Sequence, residues 1–92
     1  MKLLETVEMM NSGDYKERFK AEYYQIKIRT IGLQNMLSKW DREQLEFMPT
    51  CPRSTYELQL KAMKDYKAIL EMRAVMENIE IDTTLDEDIE IG

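Results

Sequence analysis

Asp14–Trp40, DYKERFKAEYYQIKIRTIGLQNMLSKW, is the stretch around which this 92-residue chain is organised. Phe19, Tyr23, Ile26, Thr30, Leu33, Leu37 and Trp40 recur every third or fourth residue, which predicts an apolar seam along one side of a long helix. Asp14 is the expected N-cap, and Glu17 three places on completes a capping-box pattern. At 1.5 Å per residue the helix should be about 40 Å long. Tyr24, Ile28 and Ile31 lie beside the seam and widen the stripe beyond what one antiparallel partner would cover. That width points to self-association. Gly32 inside the helix costs roughly 1 kcal/mol against alanine, and a close helix–helix approach is its expected explanation.

Outward from this helix the chain divides into recognisable pieces. Leu3, Leu4, Val7 and Met10 predict a short amphipathic helix over residues 2–10, broken by Asn11-Ser12-Gly13. Residues 41–51 form a connection in which Pro49 and Pro52 exclude a continuous helix, with Phe47 and Met48 expected to fold back over the bundle end. A second long helix should begin near Pro52 or Ser54, where Ser54 and Glu57 repeat the capping-box spacing. It carries Tyr56, Leu60, Met63, Leu70 and Ala74 on one stripe, and Leu58, Ala62, Ile69, Met72, Met76 and Ile79 on another. Two stripes imply two sets of neighbours. The expected fold is all-α, with residues 1–79 as one helical domain and 80–92 as an acidic tail whose isoleucine–acid alternation is a loose segment or a short strand.

Charge and composition narrow the function. Of 18 acidic and 13 basic residues, seven acids and no base fall at 77–92, so the body carries a net charge of about +2 although the chain carries −5. The acidic balance argues against DNA or an anionic membrane as partner, while local cationic pockets for a small anion remain available. Cys51 is the single cysteine, which excludes an internal disulfide and points to the interior of a cell. No apolar run reaches membrane-spanning length. The chain has no histidine, Gly-rich phosphate loop, nucleophile elbow or Cys–His pair, so neither an enzyme, a cofactor nor a metal site is expected.

Basic and aromatic groups are what remain. Arg18 and Arg29 are eleven residues apart and share a helix face, with Lys16, Lys20 and Lys27 in a neighbouring row. The ordinary arrangement of such residues is a solvated face with pairs such as Arg18–Glu22, and of the tyrosines, core or interface. Tyr15 stands at a helix start, where free amides and the positive dipole end favour an anion; Arg53 occupies the same kind of place on the second helix. Tyrosine and arginine together match a nucleotide, the ring stacking on a base and the guanidinium forking onto phosphate.

Tyr15-Lys-Glu-Arg18, the amphipathic stretch with a basic residue about four turns on, then Cys51-Pro52-Arg53 opening a second helix through Met63 and Tyr66 to Arg73, resembles the small phage anti-CBASS sponge proteins and related short crAss-like phage proteins. The likeness covers roughly residues 12–78. It implies a short helix plus two long antiparallel helices assembled into a homohexamer, which binds cyclic oligonucleotide immune messengers in the host bacterial cytoplasm and sequesters them uncleaved. Carried over, the dinucleotide-site tyrosine is Tyr15, and the basic residue falls among Lys27, Arg29 and Thr30, with Arg29 favoured. The trinucleotide-site arginine is Arg53. Thr30 in place of a lysine departs from that pattern, as does the acidic extension from Glu80. An ADP-ribose product is a further ligand class to test, and a helical adaptor that blocks a host protein by direct contact is the alternative function.

Overall fold

The computed structural model describes residues 1–84. The first long helix, α2, spans Tyr15–Asp41, and the second, α3, spans Arg53–Met76. Ahead of them a 3-10 turn at Leu3–Thr6 leads into a short helix α1 at Val7–Met10. Among the described residues there is no strand, so the chain is all-helical as its periodicity predicts.

Asp14 caps α2 from extended backbone (φ −85°, ψ 120°), its Oδ1 accepting the Lys16 N–H at 3.0 Å. Only half of the expected capping box forms. The Asp14 N–H donates to Ser12 Oγ at 3.0 Å, and Glu17 instead lies 3.5 Å from Lys20 one turn on. On α3 the Ser54–Glu57 box is absent: Pro52 is the N-cap without a side-chain bond, and Glu57 lies 3.3 Å from Arg53. Pro52 fits there because a residue that donates no amide is harmless where helical amides have no partner.

Both long helices stop in the same way. Gln44 N–H reaches Lys39 O at 2.8 Å and Glu43 N–H reaches Trp40 O at 3.0 Å; at the other end Ile79 N–H reaches Ala74 O at 2.9 Å and Asn78 N–H reaches Val75 O at 3.4 Å. These are Schellman closures, and each needs one left-handed residue, here Glu43 (φ 56°) and Asn78 (φ 57°). Asparagine takes that conformation readily; glutamate does so at a cost.

α2 and α3 run antiparallel, so the start of α2 lies beside the end of α3. There Phe19, Tyr23, Leu70, Ala74 and Ile79 form the buried core, with Tyr24, Ile26 and Ile81 packed against it. Tyr23 is fully buried, and its hydroxyl donates to Glu71 Oε1 at 3.0 Å. Glu71 and burial together push the phenol far above its ordinary pKa, burial being the larger cause. The N-terminal turn docks on α2 through buried Thr6, whose Oγ1 accepts from Gln25 Nε2 at 3.0 Å.

After Asn78 the chain turns back over α2 as a strap, residues 79–84. Lys27 Nζ donates to Asp82 O at 2.9 Å and Asp82 N–H donates to Tyr24 Oη at 3.0 Å. This part of the acidic segment is therefore pinned to the body; the remaining isoleucine–acid alternation, at 85–92, lies outside the described residues.

Three local expectations are corrected. A Cβ built on Gly32 meets nothing within 4 Å, so no helix of this chain approaches it closely. Phe47 and Met48 do not plug the bundle end but stand 56% and 88% exposed, because the loop runs outward toward Pro49 and Pro52. Arg18 turns to the Ser12 carbonyl at 2.9 Å, while Glu22 accepts from the Tyr66 hydroxyl instead.

Candidate functional site

The antiparallel arrangement places the basic and aromatic residues on four separate surfaces. At the first, Tyr15 opens α2 beside the last turn of α3, 47% exposed. Its hydroxyl donates to Glu77 Oε1 at 2.7 Å and accepts from Arg73 Nη2 at 2.7 Å, and Arg73 Nε donates to Glu77 Oε2 at 2.9 Å. The Arg73 guanidinium also lies 5.1 Å from the Phe19 ring centroid. The bond to Glu77 raises the Tyr15 pKa, while the Tyr15 and Arg73 donors hold Glu77 below the usual carboxylate range. The ring is thus fixed at its polar edge and lies 6.4 Å from the tilted Phe19 ring, with about half of its surface open for stacking.

Lys27 and Arg29 are two residues apart on a helix, which turns them to opposite sides of α2. Arg29 is exposed and lines a cavity of about 560 Å³ together with Leu33, Met36, Lys39, Phe47 and Met63. That cavity is largely apolar with two cations at its wall. Lys27 is buried and lines a different cavity, of about 390 Å³, between α2, α3 and the strap. Thr30, Ile31, Gln34, Lys64, Lys67, Thr83 and Thr84 complete its described wall.

Arg53 lies at the far end of the hairpin. Its guanidinium contacts both carboxylate oxygens of Asp41, at 2.5 and 3.2 Å, and lies 5.4 Å from the Trp40 ring centroid. Trp40 in turn meets Tyr56 edge to face, with centroids 6.0 Å apart and planes at 70°. The Arg53 hydrogen bonds hold Asp41 below its ordinary pKa. Within one chain Arg53 is therefore an ion-paired residue on an aromatic shelf.

A single chain thus brings Tyr15 to Arg73 and Glu77, but does not bring Tyr15, Lys27, Arg29 and Arg53 together. On α2, Tyr15 and Arg29 share a face about 21 Å apart, too far for one small ligand to span within the chain. Sequence reasoning did not single out Lys64 and Lys67. Their signal was present in the three-residue spacing that sets both on one face of α3, although such a pair ordinarily marks a solvated surface. Among the described residues, no group of three or more His, Cys, Asp or Glu residues can hold a metal ion, and no helix is long and apolar enough to cross a membrane.

Of the second stripe only Ile79 reaches the core, and the described residues leave most of the remainder uncovered. Leu58, Ile69, Met72 and Met76 are 70%, 49%, 56% and 73% exposed. An unpartnered apolar row of this length is unusual on the surface of a small isolated protein.

No curated protein and no solved structure matches the chain. The sequence model of the Sequestin family, a name that points to sequestration, matches residues 13–76. The matched span runs from the residue before the Asp14 cap to the last residue of α3 and contains Tyr15, Lys27, Arg29 and Arg53. With well over half of its length matched, including both long helices, the chain belongs to the Sequestin family.

Proposed function

We propose that this protein is a non-enzymatic sponge of phage origin that binds cyclic oligonucleotide immune messengers, cyclic dinucleotides and trinucleotides, and sequesters them in the host bacterial cytoplasm. Family membership over α2 and α3 carries the reading, because that stretch holds all four proposed binding residues. Geometry supports it further. Tyr15 offers a pre-positioned ring beside the Arg73 guanidinium, a pairing suited to a base and its phosphate. Arg29 and Lys27 supply cations to two concave surfaces.

The protein works as an oligomer, with a homohexamer as the proposed assembly. Its exposed α3 stripe calls for covering by further copies, and pockets between copies can draw groups from several chains. In such pockets Tyr15 and Arg29 of different copies converge on a dinucleotide, and Arg53, released from Asp41 or bridging it, meets a trinucleotide. Sequestration requires only preorganised charge and stacking surface, with no bond broken.

Native mass spectrometry with a panel of cyclic oligonucleotides and ADP-ribose derivatives tests the reading. The expected result is a stable oligomer carrying intact ligand masses. Tyr15→Ala and Arg29→Ala should each weaken dinucleotide binding about tenfold or more at unchanged helicity, and Arg53→Glu should weaken trinucleotide binding separately. A monomer with no bound mass, or one captured only with a host protein, would leave the adaptor function in its place.

A further inference from the structure

We propose that the open cavity between α2, α3 and the strap is a binding site for a phosphate-bearing ligand, with Lys64 and Lys67 joining Lys27 as its ligand-binding residues. For the wider identity of the ligand, this inference rests on the reading of the chain as a nucleotide-sequestering protein. The site itself is built within one chain and is separate from the Tyr15, Arg29 and Arg53 surfaces.

Three lysines line a space of about 390 Å³, and among the described residues no carboxylate lines it. Like charges gathered on one concave wall repel each other, and an anion placed among them relieves that repulsion. The lysines are not equivalent. Lys27 is 4% exposed and held by the strap carbonyl of Asp82, so it is a fixed charge. Lys67 lies 3.5 Å from Glu71, a loose pairing. Lys64 makes no hydrogen bond or ion pair among the described residues and is free to turn inward.

On the strap, the Asp82 carboxylate is held first by its own turn and only secondarily feels the Lys27 charge. Asp82 Oδ1 accepts from the Thr84 N–H at 3.0 Å and from Thr84 Oγ1 at 2.6 Å, which closes the strap on itself. Among the described residues the cavity wall is left to lysines, threonines, Gln34 and Ile31. Phosphate oxygens are suited to such a wall, since ammonium groups, hydroxyls and an amide N–H₂ all donate to them. The volume admits the group attached to the phosphate as well as the phosphate itself.

Isothermal titration of the full chain with pyrophosphate and with cyclic di-AMP provides the test. Wild type should bind pyrophosphate below millimolar concentration. Lys64→Gln and Lys67→Gln should each weaken it about tenfold or more, and Lys64→Glu should abolish it. Lys61→Gln, on an exposed lysine outside the cavity, should change nothing, and thermal melts of the Lys64 variants should overlay wild type. Failure of the wild type to bind pyrophosphate, or equal binding by Lys64→Glu, overturns the site. Cyclic di-AMP uptake by a wild type that binds no pyrophosphate overturns it while leaving the sponge reading in place. Lys64-dependent pyrophosphate binding without any uptake of cyclic oligonucleotides or ADP-ribose derivatives supports the site and removes the sponge reading instead.

Discussion

Where α2 begins and α3 ends, Phe19, Tyr23, Leu70, Ala74 and Ile79 close on one another below the level of solvent; where α2 ends and α3 begins, Trp40 and Tyr56 meet edge to face yet stay half-buried, with Phe47 and Met48 in the open. The two ends have comparable aromatic content. They differ in whether a third element returns. At the first end the strap brings Ile79 and Ile81 back over the helices, whereas at the second the proline-bearing loop carries its apolar residues outward. Two helices alone leave a groove, and burial requires something to lie in it. The closed end therefore holds the chain together, and the open end leaves its apolar residues to solvent.

Substituting the closed end should give the largest effect. Leu70→Ala removes a side chain that is 1% exposed and should cost about 2–5 kcal/mol of stability in urea titration. A loss under about 1 kcal/mol would show that the two ends are equally loose. Smaller and opposite in sign is Glu43→Gly at the open end. It relieves a left-handed glutamate and should gain about 0.5–1 kcal/mol in the same titration, whereas Asn78→Gly at the closed end should gain less.

Acid should act least, and in two steps. Glu77 and Asp41 both have folded pKa values below their ordinary values of 4.5 and 3.8, so each contributes stability above those values that fades as the pH falls through the lowered folded pKa. The melting temperature should be level near neutrality, begin to decline below 4.5 as Glu77 protonates, and decline again below 3.8 as Asp41 releases Arg53 and Asp82, likewise lowered, releases Thr84. Glu77→Gln should remove the first decline and keep the second. A profile unmoved by that change would mean the polar clasp at the closed end adds nothing to its core.

Much of this was legible in the residues. The seam placed Phe19, Tyr23, Thr30 and Leu37, all buried, because helical spacing reports a buried face directly. Asp14 was readable as a cap since its role depends on neighbours two or three residues away. The Glu17 half of that box was not, because Lys20 offers the same carboxylate a nearby charge. Ile79 read as the end of the second stripe and Ile81 as part of an acidic tail; their place at the core depends on contact with Tyr23 and its neighbours more than fifty residues earlier. Lys64 and Lys67 were missed for the same reason: what sets them apart is the facing wall of α2, which spacing within α3 does not reveal.

Because Ile79 and Ile81 belong to neither long helix, the hairpin resembles a flask whose cork is the segment after it. A shortened version ending with α3 would keep every helical residue and still be uncorked, exposing a greasy mouth to whatever is dissolved around it. Fluorescent or affinity fusions are for that reason best joined beyond Thr84, since cargo attached at Met76 would take the cork's place.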